Sequence, residues 1–129
     1  YNLLQFHAHT PSEHTVNGQS YPMEVHFVHQ AADGALAVVG LLISEGSQNA
    51  AFQPVAEAFS TSSGTFALDS LAGLLPSDKS YFTYPGSLTT PPCTEGLRWV
   101  VLETPITLSA AQIAVFEGGH GPTNRPVQP

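Results

Sequence analysis

The chain has 129 residues, 42% of them hydrophobic, enough to bury one core and too few for two ordinary domains. Three Lys and Arg against ten Asp and Glu leave a formal charge of −7, which excludes the basic footprint that nucleic acid or an anionic membrane surface requires. Charged residues are only 10% of the chain, against about 25% in an average protein, so part of the surface is expected to be covered by something else.

Eleven glycines and eleven prolines, with few helix-forming charges, indicate a loop-rich, mainly β protein. No apolar run approaches the roughly 20 residues of a membrane-spanning helix. The chain opens inside YNLLQFHAH, which reads as a strand rather than a signal peptide, so an upstream part of a longer protein is expected to be missing. Leu3 to His9 alternates, with Leu4, Phe6 and Ala8 on one face and Gln5, His7 and His9 on the other. Residues 10–20 are polar and turn-like apart from Val16, with a turn signal at Asn17-Gly18. Met23 to Gln30 alternates again and places Glu24, His26 and Val28 on one face. Asp33-Gly34 predicts a hairpin turn into Ala35–Ser44, an apolar run suited to a buried strand.

Residues 49–59 carry Phe52, Val55, Ala56 and Phe59 at helical spacing, with Pro54 limiting how early that helix starts. The stretch 61–80 reads as loop with a single strand or turn. The prolines of 84–92, YPGSLTTPP, predict a rigid irregular segment, and Leu97–Glu103 reads as a strand. Ser109 and Gln112 form a capping-box pattern for a short helix carrying Ile113 and Phe116 and closed by Gly118-Gly119. The end, GPTNRPVQP, is irregular.

The most informative chemistry is the pair His7 and His9. Two residues apart on a strand, their imidazoles point to the same side, about 7 Å apart at the backbone. If residues 10–20 connect two antiparallel strands, His26 arrives beside them. Three neutral imidazoles leave a tetrahedral Zn²⁺ one open position, the arrangement of a catalytic rather than a structural site. Gln5 and Glu24 each precede a histidine by two on the same face, where a ligating imidazole finds an acceptor for its other N–H. The alternatives are polar residues on a solvated sheet face, or another H-x-H protein such as a cupin-type oxygenase. The latter needs a further carboxylate or histidine ligand and a redox metal.

The runs QFHAHTPSEHTVNGQSYPMEVHFVHQ, LAVVG, YPGSLTTPPCTEGLRWVVLETPI and NRPVQP, in that order, resemble the α-class carbonic anhydrases over nearly the whole chain. The short connection from His9 to His26, and Thr10-Pro11-Ser12, look like the bacterial branch. The resemblance implies a partial catalytic domain over residues 1–129, with a central twisted, mostly antiparallel sheet and a few short helices. It implies Zn²⁺ held by His7, His9 and His26, and reversible hydration of carbon dioxide to bicarbonate and a proton. It makes Thr89 and Glu13 the pair that orients the attacking hydroxide: Thr89 donates to Glu13 and so accepts from the nucleophile. Val28, Val38, Leu88, Leu97 and Trp99 correspond to the family's apolar pocket for carbon dioxide, with Thr90 a neighbouring pocket residue.

His14, His29 and Tyr84 correspond to mainly structural positions, and His120 to none. The family's N-terminal portion, with its proton-shuttle residue, and its last strands are not matched, so the isolated chain is expected to be unstable or inactive. Cys93 follows TTPP, where secreted bacterial relatives often carry a cysteine bridged to one near the N-terminus. The resemblance thus implies a periplasmic or extracellular location, the alternative being a buried free thiol. A second function remains in view: a non-catalytic binding domain of the same fold, against which the retention of His7, His9, His26, Glu13 and Thr89 argues.

Overall fold

The structure is a computed structural model and describes residues 2–54, 75–76, 78–89, 92–117 and 125. Its strands are β1 (Asn2–His9), β2 (Thr15–Val16), β3 (Gln19–Ser20), β4 (Met23–Gln30), β5 (Leu36–Glu45), β6 (Tyr81–Ser87), β7 (Glu95–Leu102) and β8 (Ile106–Leu108). The helix α1 (Ala110–Glu117) follows β8. The main sheet runs β1-β4-β5-β7-β6, with β8 added to β5, and β2 and β3 form a separate ribbon. Pairings β1–β4, β4–β5 and β6–β7 are antiparallel, while β7 and β8 both run parallel to β5. The sheet is therefore mixed, with the antiparallel pairs predominating.

Local chemistry accounts for the connections. Asn17 (φ 53°) and Gly18 (φ 78°) supply the two left-handed residues that a tight hairpin turn needs between β2 and β3. In the longer connection between β4 and β5 Gly34 (φ 91°) supplies a single left-handed residue, and Asp33 Oδ1 accepts the N–H of Ala35 at 3.0 Å.

The capping box forms as expected. Ser109 Oγ accepts the N–H of Gln112 at 3.2 Å, and Gln112 Oε1 accepts the N–H of Ser109 at 3.1 Å. The same buried Gln112 accepts the N–H of Asn49 at 2.9 Å and donates to the Asn49 carbonyl at 2.8 Å, tying the helix to the loop after β5.

Two stretches differ from expectation. Residues 84–87, expected to be irregular, belong to β6, because β6 is the outer strand of the sheet and a proline's missing N–H needs no ladder partner there. Ile106–Leu108, not expected as a strand, pairs with β5 because β7 covers only Ala37–Gly40 of that ten-residue strand. Gln53 and Pro54 have helical backbone, which suits proline in a first turn. Val55, Ala56 and Phe59 lie outside the described residues, as do 61–74 and 77 and the glycines after α1. Residues 75–76 and 78–80 carry no regular structure.

The sheet buries both faces. On one, Met23, Val25, Phe27, Leu41, Ile43 and Leu102 pack with Phe52, Leu108, Ile113 and Phe116. On the other, Val28, Val38, Leu42, Leu97, Trp99 and Val101 pack together, and the polar groups of β1 and β4 share that face.

Candidate metal centre

Strand register assembles the site. In the β1–β4 ladder His7 lies directly opposite His26, and His9 opposite Glu24. Residues two apart on a strand share a face, so His7, His9, His26 and Glu24 converge. The ring centroids of His7–His9, His7–His26 and His9–His26 are 5.0, 5.3 and 4.7 Å apart. Their potential ligand atoms all lie within 4.8 Å of one another. A tetrahedral Zn²⁺ places its imidazole nitrogens about 3.3 Å apart, so small ring rotations close the group on one ion. Three imidazole nitrogen donors fit zinc.

For His7 and His26 the nitrogen that faces away from the centre is already engaged. His7 Nδ1 donates to Gln5 Oε1 at 2.7 Å, which leaves the Nε2 lone pair for a metal. His26 Nε2 donates to Glu24 Oε2 at 2.7 Å, which leaves Nδ1. His9 Nε2 and His26 Nδ1 both border Glu13 Oε1, at 3.3 and 3.8 Å, and so face the same space. Burial, then the neighbouring His26 and His9, push the His7 pKa down to about 4, so its ring is neutral and able to ligate at pH 7.

Glu24 is fully buried, and burial alone raises a carboxyl pKa. Hydrogen bonds from His14 and His26 outweigh burial and hold it well below the usual carboxylate range. Its Oε1 accepts the N–H groups of Glu13 and His14 at 2.9 and 2.8 Å, and its Oε2 accepts His14 Nδ1 at 2.5 Å besides His26. Four donors stabilise one buried charge, as a buried carboxylate requires.

Glu13 is buried beside the centre. Its Oε2 accepts the backbone N–H of Arg125 at 2.7 Å, and its Oε1 has no hydrogen-bond partner among the described residues. Thr89 sits half-buried in the bend after β6, and no hydrogen bond joins it to Glu13 among the described residues. Val28, Val38, Leu97 and Trp99 meet in one buried cluster, with Leu88 packed against it. Thr90 and His120 lie outside the described residues. His29 donates from Nδ1 to the Phe27 carbonyl at 2.9 Å, a local structural bond.

Sequence reasoning missed three contacts: His14 with Glu24, Tyr84 with His14, and Arg125 with Glu13. The last two span 70 and 112 residues, and no local spacing signals them.

A family model described as eukaryotic-type carbonic anhydrase matches residues 1–126. A carbonic anhydrase of Klebsiella pneumoniae is 47% identical over 133 residues, covering 98% of this chain and 54% of that protein. One from Pectobacterium carotovorum is 42% identical over 134 residues, covering 100% of this chain and 55% of that protein. The solved α-carbonic anhydrase of Thermovibrio ammonificans, in complex with the inhibitor sulfanilamide, matches with a TM-score of 0.91 at 42% identity. That match covers 98% of this chain and 58% of the solved one. The chain thus spans about half the length of the curated relatives it matches.

Proposed function

Because this chain belongs to the eukaryotic-type carbonic anhydrase family, we propose that the protein carrying it hydrates carbon dioxide reversibly to bicarbonate and a proton at a zinc ion held by His7, His9 and His26. The observation that carries the reading is the convergence of three imidazoles, two of which have their remaining nitrogens fixed by Gln5 and Glu24. The cupin-type alternative has no support in the family match. No carboxylate joins the three histidines in one metal-sized group among the described residues: Glu13 is in none, and Glu24 groups with His14 and His26 instead.

When bound, Zn²⁺ is a Lewis acid that lets water supply a hydroxide nucleophile near neutral pH, carbonic anhydrases being the reference case for this effect. Gln5 and Glu24 hold His7 and His26 in the tautomers that present a lone pair to the ion. Val28, Val38, Leu97 and Trp99, with Leu88 beside them, give a neutral, weakly hydrated substrate an apolar wall on the same sheet face. Glu13 Oε1 offers a buried acceptor for the Thr89 hydroxyl. With its proton committed to Glu13, the Thr89 oxygen can only accept, so the nucleophile turns its own hydrogen to Thr89 and a lone pair to the substrate.

Metal analysis and stopped-flow carbon dioxide hydration on the whole protein test the reading. One Zn²⁺ per chain and hydration activity are expected. Thr89→Ala is expected to keep its zinc and lose roughly 10²–10³ in rate per bound ion. Absence of zinc from the folded protein overturns the site, and wild-type rates in Thr89→Ala remove Thr89 from the mechanism. The same reading assigns half-buried Cys93 to a disulfide with a cysteine elsewhere in the whole protein, and so to the periplasm or exterior. Thiol titration of unfolded, unreduced protein checks it: a free thiol at Cys93 removes the argument.

A further inference from the structure

We propose that Gly96 is a positioning residue for the reaction: the left-handed bulge it makes in β7 turns the end of the β6–β7 hairpin and sets how Leu88 and Thr89 approach the metal centre. The inference rests on the reading of Thr89 as the group that orients the nucleophile.

Strand register reveals the bulge. From Tyr81↔Leu102 to Gly86↔Leu97 the two strands advance together, residue for residue. The next pair is Ser87↔Glu95, so Gly96 is an extra residue on β7 with no counterpart on β6. Its φ is 84°, the left-handed region that a bulge of this kind requires at its first residue and that glycine enters without steric cost.

The extra residue falls where the sheet hands over to the site. A bulge bends its strand, increases the local twist and re-aims the side chains that follow. Without it, Glu95 would share the face of Leu97 and Trp99, two and four residues on, and bring a carboxylate to the apolar wall. With it, Glu95 pairs with Ser87 and is exposed. Beyond the bulge the hairpin continues for one more bond, from the Leu88 N–H to the Thr94 carbonyl at 2.8 Å. The Ser87 carbonyl accepts Trp99 Nε1 at 3.0 Å. Leu88 packs against the cluster of Val28, Val38, Leu97 and Trp99, and Thr89 follows it half-buried. Ser87 and Leu88 are thus tied to both sides of the bulge, whose bend sets the angle at which Thr89 leaves the sheet.

Lack of space does not explain the glycine. Gly96 is exposed, and a Cβ there would meet nothing within 4 Å. Gly86, one step along the same ladder, is the opposite case: a Cβ there would come within 2.8 Å of Trp99 Cδ1. Gly96 therefore acts through its backbone conformation and not through contacts, so a side chain placed there perturbs the bend and little else.

The test measures carbon dioxide hydration by the whole zinc-loaded protein, per bound zinc, with urea unfolding beside it. Asn tolerates left-handed backbone better than Ala, and the β-branched Val tolerates it least. Rates are therefore expected to rank by conformation and not by size. Gly96→Asn is expected to keep most of the rate. Gly96→Ala is expected to lose roughly threefold and Gly96→Val roughly tenfold, short of the 10²–10³ for losing an oriented hydrogen bond outright. The loss is expected in kcat with KM unchanged, since the orientation matters in the transition state. Zinc affinity is expected to stay at wild type, because the three histidines stand on β1 and β4. In a Thr89→Ala background Gly96→Val is expected to add no further loss of rate. Lower stability with an unchanged rate per zinc-loaded molecule marks a merely structural glycine and overturns the proposal. So do a slower Asn than Ala variant, zinc lost in parallel with rate, or the same added loss in the Thr89→Ala background. If Gly96→Val does not fold, the order of the Asn and Ala variants decides. Wild-type rates in Thr89→Ala overturn the reading of Thr89 instead, a separate result.

Discussion

Along β4 every residue from Met23 to Val28 is buried, yet the two faces of that strand hold opposite chemistry. Met23, Val25 and Phe27 enter an apolar cluster completed by β5, Leu108 of β8 and α1. Burial of each large apolar side chain there contributes about 1.5–3 kcal/mol. Glu24 and His26, their immediate neighbours, take a charge and an imidazole equally deep, at 0% and 1% exposure. These two side chains gain little from burial, although Val28 on the same face joins the second apolar cluster, and Glu24 depends on four donors to avoid a penalty of several kcal/mol. One face of a single strand is therefore wholly apolar, while the other spends part of its burial on the pre-arranged polar groups of a candidate metal centre, as functional sites commonly do.

Neighbouring substitutions break the comparison most sharply. His26→Ala is expected to lower zinc affinity by orders of magnitude, since it deletes a ligand and leaves Glu24 short of a donor. Phe27→Ala, one residue away on the other face, is expected to cost about 3–5 kcal/mol in unfolding free energy. Zinc affinity per folded molecule should stay near wild type in that variant. Chelator competition and urea unfolding on the whole protein read the two quantities separately. A large loss of zinc affinity in Phe27→Ala would show that the faces are coupled rather than independent.

The candidate ligands were legible because a strand repeats every two residues: His7-x-His9 and Glu24-x-His26 declare their faces without knowledge of the fold. Antiparallel pairing through a short connection then sufficed to bring His26 to His7. The capping box at Ser109 and Gln112 was legible for the same reason, a local rule with a local outcome. β8 was not, because three residues carry no period and the strand exists only where β5 outruns β7. Nor was β6, where proline's usual meaning is overridden by an edge position. The contact of Tyr84 with His14 depends on a sheet order that puts two strands, β5 and β7, between β4 and β6, and nothing near either residue encodes that.

A smaller effect separates the faces by pH. His7 titrates near 6.5 when unfolded and near 4 when folded, lowered first by burial and then by His26 and His9. Between those values the unfolded state binds more protons, so stability falls as pH drops from about 6.5 toward 4 and is unaffected by this group above that window. Glu24 is also depressed, so its contribution is present above its unfolded value of 4.5 and is lost as pH falls below it. Both act in the same direction. The opposite cluster holds only Met, Val, Phe, Leu and Ile and has nothing to titrate. Chelator-treated whole protein is expected to lose urea midpoint steadily below pH 6.5. A midpoint flat from pH 6.5 to 5 would place the His7 ring in a more open setting than its neighbours imply.

The smallest expected effect is also the most local. Gly40 pairs with His26 on β4 and Val101 on β7, in the middle of the site face. Its backbone is ordinary strand, so alanine is conformationally acceptable there and removes the roughly 0.5–1 kcal/mol that glycine costs in a strand. The added methyl would stand 3.1 Å from Glu24 Oε2, 3.7 Å from Val101 Cγ2 and 3.8 Å from Trp99 Cζ3. Only the contact with the carboxylate is tight, and Glu24 has little freedom to retreat. Its Oε1 is held by two backbone N–H groups, and any shift of Oε2 lengthens the bonds from His14 and His26. Gly40→Ala is therefore expected to leave the urea midpoint close to wild type while weakening zinc binding about tenfold, the low end for disturbing a ligand's hydrogen-bond partner. Unchanged zinc affinity would mean that Glu24 can move without moving His26. A loss of stability with unchanged affinity would mean that this face, like the other, is governed by packing alone.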